Sequence, residues 1–210
     1  MSAVLRARRA LLAAGVGLWL GGSERPAWAG AQLEEPLIDA VRSALSAAIA
    51  NSAPPKPHFD TIDARLAYLR WLGTMSERLK PRKTEAMTRI EFLETLWYES
   101  RRAGLDPALV LGLVEVESGF RKYAISSAGA RGYMQVMPFW VRQIGDGEAS
   151  RLFHMQTNLR FGCVIMRHYL DIEKGDLFLA LGRYNGSRGR PEYPNAVLAN
   201  RRKWLMPGEV

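Results

Sequence analysis

The chain is 210 residues long, with 29 basic and 21 acidic side chains and one cysteine. That length fits one domain with an extension, and Cys163 alone excludes an intramolecular disulfide. A formal charge of +8 fits an acidic polymer or an anionic surface as partner. Arg6, Arg8 and Arg9 precede an apolar run from Ala10 to Leu20, too short to cross a bilayer, and Ala27-Trp28-Ala29 follows as an A-x-A cleavage signal. Residues 1–29 read as a secretory signal peptide cut after Ala29; the adjacent Arg8-Arg9 suits ordinary export better than the twin-arginine class. No cysteine lies near the cut to carry a lipid, so the mature protein is expected to be periplasmic with no stable membrane anchor. Removing the peptide leaves 25 basic and 20 acidic residues, and export argues against nucleic acid as partner.

Residues 30–83 read as a helical extension and linker. Gln32 to Asn51 is alanine-rich, with Leu37, Val41 and Leu45 at helical spacing, and Ala53-Pro54-Pro55-Lys56-Pro57 ends that run. A second helix is predicted from Thr61 to Leu79, with Ile62, Leu66, Leu69 and Leu72 as its apolar face and Pro81 as its stop. Neither helix carries a chemical motif. They read as a packed extension, with docking to a partner of the envelope machinery as the second reading.

The main domain is placed at 84–207. A helix is predicted from Thr84 to Ala103, stopped by Gly104, with Thr88 and Glu91 as a capping box that would start it later. Asp106-Pro107 has the N-cap and first-turn proline signature of a helix running to Glu117. A small-residue loop from Ser126 to Gly132 follows, then a helix entered through Met134-Gln135 and ending at Ile144, and a turn over Gly145 to Glu148. Thr157-Asn158 is read as the cap of a helix to Asp171 with Cys163 on its apolar side, Asp176 as the cap of the next, and a last helix runs from Pro194 to Trp204. Arg201, Arg202 and Lys203 read as its solvated, dipole-favoured end. No stretch alternates with period two, so the fold class is mainly α.

Chemistry narrows to carboxylates. His58, His154 and His168 are scattered, no zinc, serine-hydrolase or phosphate-loop motif occurs, and neither a metal nor a cofactor is expected. Glu115 and Glu117 end an apolar helix two residues apart, roughly 200° around its axis, so only one can face a given site. Glu117 shares a face with Val110, Leu113 and Val114 and is the last residue before the break. The negative end of the helix dipole and apolar neighbours both disfavour its ionised form, which suits a general acid.

The wider pattern resembles the lytic transglycosylases of the soluble-lytic-transglycosylase (SLT) type. Its residues are Glu117-Ser118-Gly119-Phe120, Ala124 and Ser126, then Gly129-Ala130-x-Gly132-x-Met134-Gln135-x-Met137-Pro138. Asn158 and Gly162, with Tyr169-Leu170 further along, resemble the family's N-x-x-x-G helix, Ala180 with Tyr184-Asn185 its A-x-x-x-Y-N motif, and Tyr193 to Val197 its closing Y-x-x-x-V. The resemblance implies a lysozyme-like catalytic domain acting on peptidoglycan glycan strands. It implies cleavage of the β-1,4 bond between N-acetylmuramic acid and N-acetylglucosamine with closure of a 1,6-anhydro ring, Glu117 serving as acid and then base. It also implies that Ser126, Gln135 and Met137 line the saccharide cleft and that Tyr184 hydrogen-bonds and orients Glu117, with Asn185 beside it. Tyr133, Arg183 and Gly186-Ser187 depart from the family pattern. Tyr133 and Arg183 are read as altered cleft contacts, Arg183 facing an acidic stem-peptide group. The rival readings are a goose-type muramidase, for which Asp146 or Glu148 would supply a second carboxylate, and a non-catalytic wall-binding or envelope-assembly protein.

Overall fold

The computed structural model describes residues 56–144 and 148–209, together with Arg42, Ser43 and Ser46. The segment read as a signal peptide, nearly all of the helix expected over 32–51, and residues 145–147 lie outside the described residues. Seven α-helices occur among the described residues: α1 Ile62–Leu79, α2 Ala86–Arg102, α3 Pro107–Glu117, α4 Pro138–Ile144, α5 Met155–Ile172, α6 Leu177–Asn185 and α7 Glu192–Lys203. A short 3₁₀ helix, Ala149–Phe153, precedes α5, and the described residues hold no strand beyond two isolated bridges. The mainly-α expectation stands.

Local chemistry starts these helices. Thr61 accepts from Ala64 N at 3.1 Å to cap α1, and Asp176 accepts from Leu179 N at 2.9 Å to cap α6. Asp106 accepts from Ala108 N at 2.9 Å with Pro107 in the first turn of α3. In α2 the cap is Glu85, whose carboxylate takes both Met87 N and Thr88 N, so the helix starts at Ala86 and not at a Thr88 capping box.

Of the apolar face predicted for α1 only Leu72 is buried as expected; the rest does not pack. Ile62, Leu66 and Leu69 are 78%, 45% and 48% exposed, while Tyr68, Trp71, Met75 and Leu79 are buried. Two stripes satisfied the helical period. The aromatic one wins because its rings remove more apolar area from water: Tyr68 stacks on Trp71 and meets Phe59 and Trp97. Residues from α1 to α7 share one core.

The packing that governs the site is that of α3 on α7. A Cβ at Gly112 would stand 2.6 Å from Arg201 N and 2.9 Å from Val197 O, so only glycine lets the two backbones meet this closely. Arg201, expected to be solvated, instead pairs with the Asp106 cap at 2.7 Å. Gly112→Ala is therefore expected to destabilise the fold by ~1–3 kcal/mol, read from the midpoint of denaturant unfolding. An unchanged midpoint would show that the helices part without cost.

Two boundaries differ from expectation. Residues 134–137 are not helical: Arg131 and Val136 exchange backbone hydrogen bonds at 3.0 Å, and Gln135 has a left-handed φ of +48°. The small residues between Ala124 and Val136 thus make a hairpin-like loop, and α4 begins only at Pro138. Thr157 and Asn158 lie inside α5, because the side chain of Asn158 is committed to that loop, as described next.

Candidate active site

Glu117 is the last residue of α3, and the two glutamates there reach opposite ends of α7. Glu115 accepts from Arg82 at 2.7 Å and from Trp204 Nε1 at 2.8 Å, with Lys203 Nζ at 3.5 Å. It is an anchor tying the chain before α2 to the end of α7. Glu117 turns to the first turn of α7, where the Tyr193 hydroxyl donates to its Oε1 at 2.5 Å. Glu117 is 7% exposed, and its Oε2, shut off from solvent, has no hydrogen-bond partner among the described residues. Burial pushes this carboxyl up to about 8, opposed by the Tyr193 hydrogen bond, which favours the charged form. At neutral pH the group holds its proton. The helix face chosen from the sequence is the one that isolates a carboxyl.

The loop after α3 is fastened beside it. Ser118, the residue after the helix, donates through Oγ to Tyr133 O at 2.7 Å. The next carbonyl, Met134 O, receives the Tyr184 hydroxyl at 2.7 Å, and Met134 N donates to Asn158 Oδ1 at 2.8 Å. Asn158 Nδ2 donates to Arg131 O at 2.8 Å and Leu152 O at 2.9 Å. That grip passes over Gly132, where φ is +76° and a Cβ would lie 2.4 Å from Asn158 Nδ2. The left-handed backbone at Gln135 is held by its own side chain, whose Nε2 donates to Ala124 O at 3.1 Å and Gly132 O at 2.9 Å.

The residues named from the sequence fall into two groups. Glu117 ends α3, Tyr184 of α6 bonds the loop that Ser118 anchors next to it, and Gln135 folds back onto that loop. Ser126 closes the far turn, its Oγ accepting from Ala130 N at 3.1 Å. Met137 is half-buried against the core and Asn185 is buried at the end of α6. The carboxyl's partner, assigned to Tyr184, is Tyr193, because the Tyr184 hydroxyl is turned to Met134 O; burial and the Glu117 charge raise the Tyr193 phenol well above its ordinary value, and the Tyr184 phenol raises it further. The sequence signal for Tyr193 was its place in Y-x-x-x-V; the role was not readable. Tyr133 and Arg183 are also corrected. Tyr133 packs against Phe92 at 4.8 Å and accepts from Lys83 at 3.0 Å. Arg183 pairs with Glu173 at 2.7 Å, and Arg188 and Arg183 together hold that carboxylate down at about 2.

A family model, the Transglycosylase SLT domain, matches residues 95–205. The chain belongs to that family. The chain is 30% identical over 118 residues to a transglycosylase of Enterobacteria phage PRD1, covering 53% of this chain and 43% of that protein. It is 32% identical over 99 residues to Membrane-bound lytic murein transglycosylase C of Actinobacillus pleuropneumoniae serotype 5b (strain L20), covering 44% of this chain and 24% of that one. The chain thus spans less than half the length of these curated relatives. A solved structure of an inactive mutant of the lytic transglycosylase Slt from Pseudomonas aeruginosa is similar with a TM-score of 0.49 and 22% identity, over 67% of this chain and 29% of that one.

Within the SLT domain, Tyr184 is a fastening for the loop. Tyr184→Phe is expected to leave Met134 O without this donor and to lower stability by ~1–3 kcal/mol. Thermal unfolding checks this; a variant as stable as wild type would remove Tyr184 from that role.

Proposed function

We propose that this SLT domain is a peptidoglycan lytic transglycosylase of the periplasm, exported by the segment at 1–29, with Glu117 as its single proton carrier. The observation that carries this reading is a buried carboxyl at a helix end, protonated at neutral pH, with one tyrosine donor and one unpartnered oxygen. Protonated Glu117 donates to the glycosidic oxygen as the bond from the muramic anomeric carbon breaks. The C6 hydroxyl oxygen of the same sugar then attacks that carbon, and its proton goes to the Glu117 carboxylate, which regenerates the acid. No water is consumed, so the second carboxylate of an ordinary glycosidase has no task.

The surrounding acids support a one-carboxyl site. Glu115 is held by Arg82 and Trp204, Glu99 by Arg160, and Glu173 by Arg183 and Arg188. Glu148 is exposed, accepts from Ser150 at 2.7 Å and faces Arg151; Asp146 lies outside the described residues. We take Ser126, Gln135 and Met137 as walls of the saccharide cleft, Tyr193 as the residue that positions Glu117, and Tyr184 and Asn185 as supports of that wall. The catalytic unit is taken as 84–207, with α1 packed on it. Mass analysis of muropeptides released from purified sacculi tests the reaction. Anhydro-muramic ends, lighter by one water, are expected; reducing muramic ends would identify a hydrolase, and no release would favour a wall-binding protein.

A further inference from the structure

The segment between Glu117 and Asp146 contains Arg121, Lys122, Arg131 and Arg142 but no aspartate or glutamate. Most of the well-placed arginines elsewhere are neutralised within the fold: Arg82 by Glu115, Arg160 by Glu99, Arg188 by Glu173, Arg201 by Asp106. Arg131 differs. Among the described residues it has no carboxylate partner, its Nε is shut off from solvent without an acceptor, and its guanidinium carbon stands 5.6 Å from the centre of the Phe153 ring. Phe153 in turn packs on Tyr123 at 5.8 Å, a ring left 70% exposed, with Lys122 Nζ 5.3 Å from its centre. An arginine laid on an aromatic ring keeps its charge, loses part of its hydration and keeps an edge that fits a carboxylate with two parallel hydrogen bonds.

The backbone of Arg131 is immobilised for such a task. It pairs with Val136 in both directions at 3.0 Å and its carbonyl is held by Asn158. It lies two and three residues before the carbonyls that Ser118 and Tyr184 fasten beside Glu117, a chain path of about 7–10 Å. A peptide substituent of four or five residues spans roughly 13–18 Å when extended, longer than that path.

We propose that Arg131, backed by Phe153 and Tyr123, binds a free carboxylate on the peptide substituent of the glycan and thereby selects acidic, peptide-bearing strands. This rests on the transglycosylase reading of Glu117, and the experiment separates the two. Arg131→Ala is expected to lower kcat/KM on intact sacculi by ~10–100-fold, through KM, while cleavage of glycan strands stripped of peptide by an amidase stays within about twofold of wild type and thermal unfolding is unchanged. Arg131→Lys recovers part of the loss, since it keeps the charge and loses the planar fork. Calorimetric titration of the wild-type protein with a soluble stem peptide at low salt gives a readout independent of cleavage. The acid form is expected to bind, and its fully amidated form and the Arg131→Ala variant to bind at least about tenfold more weakly. Equal losses on stripped and intact strands, or equal binding of acid and amidated peptide, would overturn the proposal. Carboxylate-dependent binding with no strand cleavage would instead overturn the transglycosylase reading alone.

Discussion

Glu117→Gln is expected to leave a folded protein whose digestion of purified sacculi falls by at least about 10²–10⁴-fold, the range a positioned acid and base contributes. Glutamine keeps the shape and can still accept from Tyr193, but it has no proton to give. Activity of the wild-type protein should also fall as pH rises through about 8, where the buried carboxyl loses its proton. Stability carries the same signature. The carboxyl ionises near 4.5 as an isolated group and near 8 in the fold, so the folded state binds its proton more tightly. Its contribution is fully present below pH 4.5, falls by at most about 1.4 kcal/mol per pH unit across the window, and is gone above pH 8. The glutamine variant lacks this dependence. The difference in melting temperature should therefore open in favour of Glu117→Gln between pH 4.5 and 8 and then level off, and a constant difference would show that Glu117 ionises as an exposed glutamate does.

Tyr193→Phe removes the tyrosine hydrogen bond on that carboxyl without emptying the space the ring fills. A hydrogen bond to a charged group is worth about 1.5–3 kcal/mol, which corresponds to roughly 10–100-fold in turnover. KM should change little, since the hydroxyl is directed at Glu117. The pH profile separates positioning from packing. Because the tyrosine hydrogen bond favours the ionised carboxylate, its loss should move the alkaline limb of the profile upward. Lower stability with an unmoved limb would assign Tyr193 a purely structural role.

Much of the site was legible because the relevant rules are local. Asp106-Pro107 and the break at Ser118-Gly119 bound α3 to the residue, and a helix turns about 100° per residue whatever surrounds it, so Glu115 and Glu117 had to diverge. The spaced motifs marked Gln135, Tyr184 and Tyr193 as belonging together. Their hydrogen-bond partners were not legible, since Tyr184 and Tyr193 are equally able to reach a carboxyl until the helices carrying them are placed. The same holds for Asn158, whose residue type suits a helix cap but whose side chain holds Met134, Arg131 and Leu152. Arg183 looked free for a ligand because Glu173, ten residues earlier, lies across the turn between α5 and α6.

By itself the sequence determined a mainly-α chain, the ends of most helices, and that Glu115 and Glu117 face apart, because caps, proline, glycine and helical period act within a few residues. Only the tertiary structure decided which stripe of α1 is buried, which tyrosine donates to the carboxyl, and that residues 134–137 close a loop. Each of these depends on surfaces brought together from distant parts of the chain. Buried aromatic area outweighs a second apolar stripe, the close contact at Gly112 carries Tyr193 to Glu117, and the backbone of the loop is satisfied by Ser118, Asn158 and Tyr184, not by a helix of its own.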